Sequence, residues 1–101
     1  MMYTKLKYDK FENYLFEATK EKVLRQESYQ YIFKFDNGYG ASVIKNSVSH
    51  GHAQDLFELV VIKFTDEFTW NFCYTTKITD AVLGYLENDD VLGLLERIKN
   101  L

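Results

Sequence analysis

The stretch Tyr29-Gln30-Tyr31-Ile32-Phe33-Lys34-Phe35-Asp36-Asn37-Gly38-Tyr39-Gly40-Ala41-Ser42-Val43-Ile44-Lys45 decides the fold. Tyr29, Tyr31, Phe33 and Phe35 recur at every second position with Gln30, Lys34 and Asp36 between them, and only Ile32 breaks the alternation. Successive side chains of a strand point to opposite faces, so this period describes a half-buried strand. Asp36-Asn37-Gly38 supplies residues that tolerate positive φ, and residues 40–45 then read as the return strand of a hairpin.

Downstream, the small polar run 46–54 (NSVSHGHAQ) reads as a loop into Leu56–Phe64, where both alternating faces are mostly apolar. Such a strand is central and covered on both sides, so the N-terminal segment or a second copy of the chain must cover the face that the C-terminal helices leave open. After a turn at Thr65-Asp66-Glu67, Phe68, Trp70, Phe72 and Tyr74 alternate with Thr69, Asn71, Cys73 and Thr75 as a fourth strand. The period changes again near Ile78, where Thr79 or Asp80 can cap a short helix through Leu86. Asn88 can cap a second helix, with Asp89 and Asp90 in its first turn and Arg97 and Lys99 in its last, each sign matching the helix dipole. Its stripe of Val91, Leu94, Leu95, Ile98 and Leu101 docks on the aromatic face of the sheet, and Gly93 weakens the helix while permitting close approach.

Upstream, residues 9–25 (DKFENYLFEATKEKVLR) place Phe11, Tyr14, Leu15 and Ala18 at helical spacing, which favours an amphipathic helix. Glu12, Tyr14, Phe16 and Ala18 also alternate, so a strand followed by a charged loop stays open as a second reading. The expected fold class is α+β: an antiparallel four-stranded meander sheet with C-terminal helices packed on one face, and an N-terminal helix if the first reading of 9–25 holds.

The chain has 101 residues, 47% hydrophobic and 17% aromatic, with no proline, which suits a single globular domain over 1–101 and excludes collagen-like or proline-rich architectures. Its net charge of −3 sets up mild repulsion with a nucleic-acid backbone, so phosphate binding needs a local basic patch. The acid is concentrated in the second half of the sequence, which suits a basic protein partner better than DNA. Cys73 is the single cysteine, so no internal disulfide forms, and a cytoplasmic setting is expected. No signal-peptide core is present in the opening residues, and the run Leu59-Val60-Val61-Ile62 is far too short to cross a bilayer; no membrane association is expected.

Candidate chemistry is sparse. His50-Gly51-His52 with Asp55 offers two imidazoles and a carboxylate to a metal, but His-x-His pairs in Gly/Ser loops are more often solvated, so no metal and no cofactor is expected. Cys73 becomes a nucleophile only if His50 or His52 comes within hydrogen-bond reach, and a neutral thiol on a strand is the commoner case. Gly38-Tyr39-Gly40 matches the centre of an RNA-recognition signature, yet Asn37 and Ala41 stand where a basic and an aromatic residue belong. Eight tyrosines exceed what a small core requires, so some reach the surface as interface anchors. Tyr39 at a hairpin tip and Tyr85 at a helix end are the first choices for binding, together with the acidic pair Asp89 and Asp90.

Three segments taken together, Phe35-Asp36-Asn37-Gly38-Tyr39-Gly40-Ala41-Ser42-Val43-Ile44, Leu56-Phe57-Glu58-Leu59 and Ile78-Thr79-Asp80-Ala81-Val82-Leu83-Gly84-Tyr85-Leu86, give the pattern NGYGASV…LFEL…ITD-x-V-x-GYL. Over residues 30–101 the chain resembles a family of small, uncharacterised proteins encoded by bacteriophages and prophages. In that family the middle loop carries an aromatic-glycine pair, where this sequence has His50-Gly51. The resemblance implies a setting, an infected or lysogenic bacterial cell, rather than a reaction, and it carries over no catalytic residues. The expectation is therefore a non-enzymatic phage accessory protein that binds a host or defence-system protein as inhibitor or modulator, and the doubly apolar third strand also allows a homodimer. A nucleic-acid-binding regulator using Lys5, Lys7, Lys10, Lys20, Lys22 and Arg25 ranks second, and a metal- or thiol-dependent enzyme third.

Overall fold

The computed structural model describes residues 5–23, 26–45, 55–78 and 82–101. A short 3₁₀ helix, Asp9–Tyr14, leads into strands β1 (Leu15–Val23), β2 (Gln26–Lys34), β3 (Tyr39–Lys45), β4 (Phe57–Phe64), β5 (Trp70–Phe72) and β6 (Leu83–Leu86) and a final helix α1 (Asn88–Lys99). The sheet is antiparallel in the order β1-β2-β3-β4-β5, and β6 pairs with the remaining length of β4. The α+β class and the meander are thus present, with two strands more than the sequence pattern announces.

The hairpin read from residues 29–45 is there in register: Tyr29 faces Lys45, Tyr31 faces Val43 and Phe33 faces Ala41. Gly38 adopts φ +86° at its turn, a conformation that costs glycine no Cβ clash. Gly40 lies under the Phe64 ring from the neighbouring strand, with the carbonyl of Phe33 close behind it, so a bare Cα is required there.

Of segment 9–25, Asp9–Tyr14 is helical, as a 3₁₀ turn, while Leu15–Val23 is a strand; residues 24 and 25 lie outside the described residues. The strand alternative holds from Leu15, because β2 presents a full edge of unpaired N–H and C=O groups that nine residues of β1 satisfy. Leu15 and Phe16 point to opposite faces, as neighbours in a strand do, and a bulge between Leu15 and Glu17 leaves Phe16 as the extra residue in the register. Leu15 packs with the main core, and Phe16 packs on Ile32, Val60 and Ile62 behind the sheet.

The helix expected through Leu86 is also absent from its described part: Leu83–Leu86 is β6, and residues 79–81 lie outside the described residues. Pairing to β4 completes hydrogen bonds at that strand's edge and half-buries Leu83 and Leu86, a gain that outweighs local helix propensity. The register slips between the Leu59–Leu83 and Phe57–Leu86 pairs, and Tyr85 takes φ +57° inside the slip.

Among the described residues α1 is the one α-helix. Val91, Leu95 and Ile98 are fully buried against Phe33, Phe35, Val43, Leu59 and Val61. Leu6 and Phe11 from the N-terminal segment join this same layer, and Phe16 of that segment reaches the opposite face. Glu87, not Asn88, is the N-cap of α1. The Asn88 side chain instead reads the backbone of Lys7, accepting its N–H at 2.7 Å and donating to its carbonyl at 2.9 Å, which fastens the N-terminal segment to the helix. A Cβ on Gly93 would meet nothing within 4 Å, so this glycine serves no close approach.

Candidate protein-docking surface

β4 sends side chains to both faces. Phe57, Leu59 and Val61 lie under α1, while Val60 and Ile62 join Ile32 in a second, smaller cluster on the far side of the sheet. No helix among the described residues packs there; the partly buried side chains of Phe16, Phe64, Trp70 and Val82 pack on the second cluster. Because Trp70 pairs with Phe64 and Phe72 with Ile62, the aromatic positions of β5 fall on this far face rather than under the helix.

The hairpin joining β4 to β5 is held at many points. Thr65 donates its N–H to the Thr69 carbonyl at 2.8 Å and its hydroxyl to the same oxygen at 3.2 Å. One carboxylate oxygen of Asp66 accepts the N–H groups of Phe68 and Thr69, each at 2.8 Å, closing an Asx-type turn. Those two amide bonds, Phe68 first, hold the Asp66 carboxyl below its ordinary value. Lys34 donates to the Glu67 carbonyl at 2.8 Å, and its ammonium stands 4.9 Å from the Phe64 ring and 5.9 Å from the Phe16 ring.

On this ordered frame Phe68 is 76% exposed, Phe72 55% and Tyr74 42%. Trp70, Phe72 and Tyr74 form a ladder with ring centroids 5.7 and 6.3 Å apart. A cleft of about 210 Å³ opens beside Phe72, lined by Ser42, Ile44, Glu58, Val60 and Val82 among others. Scattered exposed apolar side chains are ordinary; a contiguous aromatic strip on a braced hairpin next to a cleft is the signature of a contact surface. The carboxylates nearby are Glu58 in the cleft and the exposed Asp66 and Glu67 at the tip.

The residues first proposed from sequence are not gathered into one site. Tyr39 is half-buried at the start of β3, its N–H bonded to the Asn37 side chain at 3.0 Å and the Lys63 ammonium 5.1 Å from its ring. It shares a hollow with Asn100 and Leu101, whereas Asp89 and Asp90 lie at the opposite end of α1. Asp90 accepts the Glu87 N–H at 2.9 Å in a capping box, a structural use of one of the two carboxylates. Tyr85 is 63% exposed, on a strand rather than a helix end.

His50 and His52 lie outside the described residues. Asp55, the third member of that set, bonds the ammonium of Lys45 at 2.9 Å through its carboxylate and at 2.7 Å through its carbonyl. Lys45 is fully buried, 3.8 Å from the Phe57 ring centre, so this pair closes the near side of the core. Among the described residues no three His, Cys, Asp or Glu side chains converge as metal ligands, and no helix is long and apolar enough to cross a membrane. The Cys73 thiol lies 3.5 Å from the Thr75 hydroxyl; hydrogen bonds from Thr75 lower its pKa.

The aromatic strip was visible in the sequence as a greasy face, and what was missed is the side of the sheet it occupies. The available signal was arithmetic of coverage: the apolar faces of the predicted strands exceed what one helical stripe can cover. No family model, no curated protein and no solved structure matches the chain.

Proposed function

We propose that the chain is a non-enzymatic binding protein that docks through the β4–β5 hairpin and the far face of the sheet, inserting Phe68 and laying Phe72 and Tyr74 on a protein partner. The phage-like sequence pattern supplies the setting, so the partner is a host or defence-system protein whose activity is inhibited or modulated by attachment. The observation that carries the reading is the combination of a 76% exposed Phe68 with a turn closed by two 2.8 Å bonds to Asp66. A turn backbone already fixed in place loses little conformational entropy when the side chain it carries binds, which helps a small contact become strong. Asp66, Glu67 and Glu58 favour a partner whose apolar pocket is rimmed by Lys or Arg, and they disfavour a phosphate backbone.

The test is capture from bacterial lysate with the unaltered chain and with a Phe68→Ala/Phe72→Ala variant that retains its circular dichroism spectrum. A partner retained by the first and lost by the second, with affinity reduced by about 30-fold or more, is the expected result for a central aromatic anchor. Identical recovery by both chains, or capture of nucleic acid that salt abolishes, would overturn the proposal. Trp70 is the single tryptophan and half-buried in the strip, so its emission reports the same event directly.

A further inference from the structure

β5 stands at one end of the strand order, and among the described residues no strand pairs with its outer edge. Cys73 donates its N–H to the Val61 carbonyl at 2.8 Å, and the Thr69 carbonyl accepts the Thr65 N–H at 2.8 Å, so residues 69, 71 and 73 turn their backbone polar groups toward β4. Backbone direction alternates along a strand, and the N–H and C=O groups of Trp70 and Phe72 therefore point away from the sheet. Asn71, Phe72 and Tyr74 are exposed along this edge.

The two ends of the sheet are guarded differently. β1, at the other end, carries Glu17, Lys20, Glu21 and Lys22, charges of the kind that keep an edge strand from pairing with another chain. Residues 68–76 (FTWNFCYTT) hold no charge and no proline, and their aromatic side chains favour the extended conformation. An uncharged edge with outward-facing backbone groups is a template for a further strand.

The pattern is also complementary to itself. In an antiparallel copy related by a two-fold axis through Phe72, this residue faces its own counterpart and Trp70 faces Tyr74 of the other copy. Both are aromatic cross-strand pairs at outward-facing positions. Glu67 and Lys77 lie equally far from Phe72 in sequence and both are exposed, so the same axis carries each toward the opposite charge on the other copy. A two-fold contact of this kind closes on itself and does not propagate.

We propose that the outer edge of β5 is the contact of a homodimer, in which two copies join antiparallel about Phe72 into one continuous sheet through the N–H and C=O groups of Trp70 and Phe72. This pairing goes beyond the docking reading: it uses the backbone edge, needs no other protein, and sets the two aromatic strips side by side on one face.

The experiment is sedimentation equilibrium of the purified full chain, paired with amide hydrogen exchange read by NMR at low and high protein concentration. The mass is expected to rise with concentration from that of one chain toward that of two. Exchange of the Trp70 and Phe72 amides should slow at least about tenfold over the same range, whereas the Cys73 amide, already bonded to Val61, changes little. Phe72→Lys sets two like charges against each other at the axis and should weaken the dimer at least about tenfold. A mass that stays at one chain up to millimolar concentration, a dimer whose Trp70 and Phe72 amides keep their monomer rates, or a Phe72→Lys dimer of undiminished strength would overturn the proposal. The first two readings use the unaltered chain and stand whatever the variant does to folding. A monomer that still captures a protein through Phe68 would overturn the dimer and leave the docking surface in place.

Discussion

A Cβ on Gly40 would overlap the backbone carbonyl oxygen of Phe33 and press on the Phe64 ring at 3.2 Å. A ring edge can swing away, but a carbonyl in the middle of a strand pair cannot, so Gly40→Ala must part β2 from β3. A loss of at least about 3 kcal/mol is expected, large against the ~5–15 kcal/mol that separates a domain from its unfolded chain. Gly93 is the opposite case: it is exposed in the interior of α1 with open space around it, so Gly93→Ala should stabilise by about 1 kcal/mol through helix propensity alone. Urea melts followed by circular dichroism check both, and a tolerated Gly40→Ala would show that β2 and β3 are not paired as described. Nothing in the sequence ranks Gly40 above Gly93; only the neighbours across the sheet mark it as the indispensable one.

The β4–β5 hairpin depends on one exposed carboxylate. Asp66 is held below its ordinary pKa by the Phe68 and Thr69 amides, in that order of size. A depressed folded-state value means that the bonded carboxylate supports the turn at pH above the unfolded range near ~3.9 and ceases to do so as pH falls through the lower folded value. The Phe68 and Thr69 amide shifts should therefore titrate together on the acid side of the usual aspartate range. Asp66→Asn, which keeps an acceptor oxygen, should preserve the turn and abolish that titration, whereas Asp66→Ala should loosen both; an Asp66→Ala spectrum identical to that of the parent would refute the brace. Hairpins of this kind explain what was legible. The β2–β3 unit could be read because its alternation and its Asp-Asn-Gly turn agree, but residues 9–14 and 15–23 satisfy helical and strand periods at once. Only the free edge of β2 decides between them. Thr79 to Leu86 misled for the same reason, since a plausible cap says nothing about an open edge on β4.

Among the described residues one α-helix packs on a sheet with two apolar faces. Period-two alternation tells which residues share a face and is silent on which face the helix takes, so it leaves open the side of the sheet on which the β5 aromatics lie. The two sides should respond differently to substitution. Ile62 is fully buried on the far face although no helix covers it, so Ile62→Ala should cost about 2–5 kcal/mol, as any core truncation does. Phe68, at the hairpin tip, contributes surface and not core, so Phe68→Ser should shift stability by no more than about 0.5 kcal/mol while raising solubility. Thermal and urea unfolding of the two variants separate a surface kept apolar for a partner from one that is merely thinly packed. If Phe68→Ser destabilised the chain as strongly as Ile62→Ala, the ring would belong to the protein's own core, and the docking surface would lose its anchor.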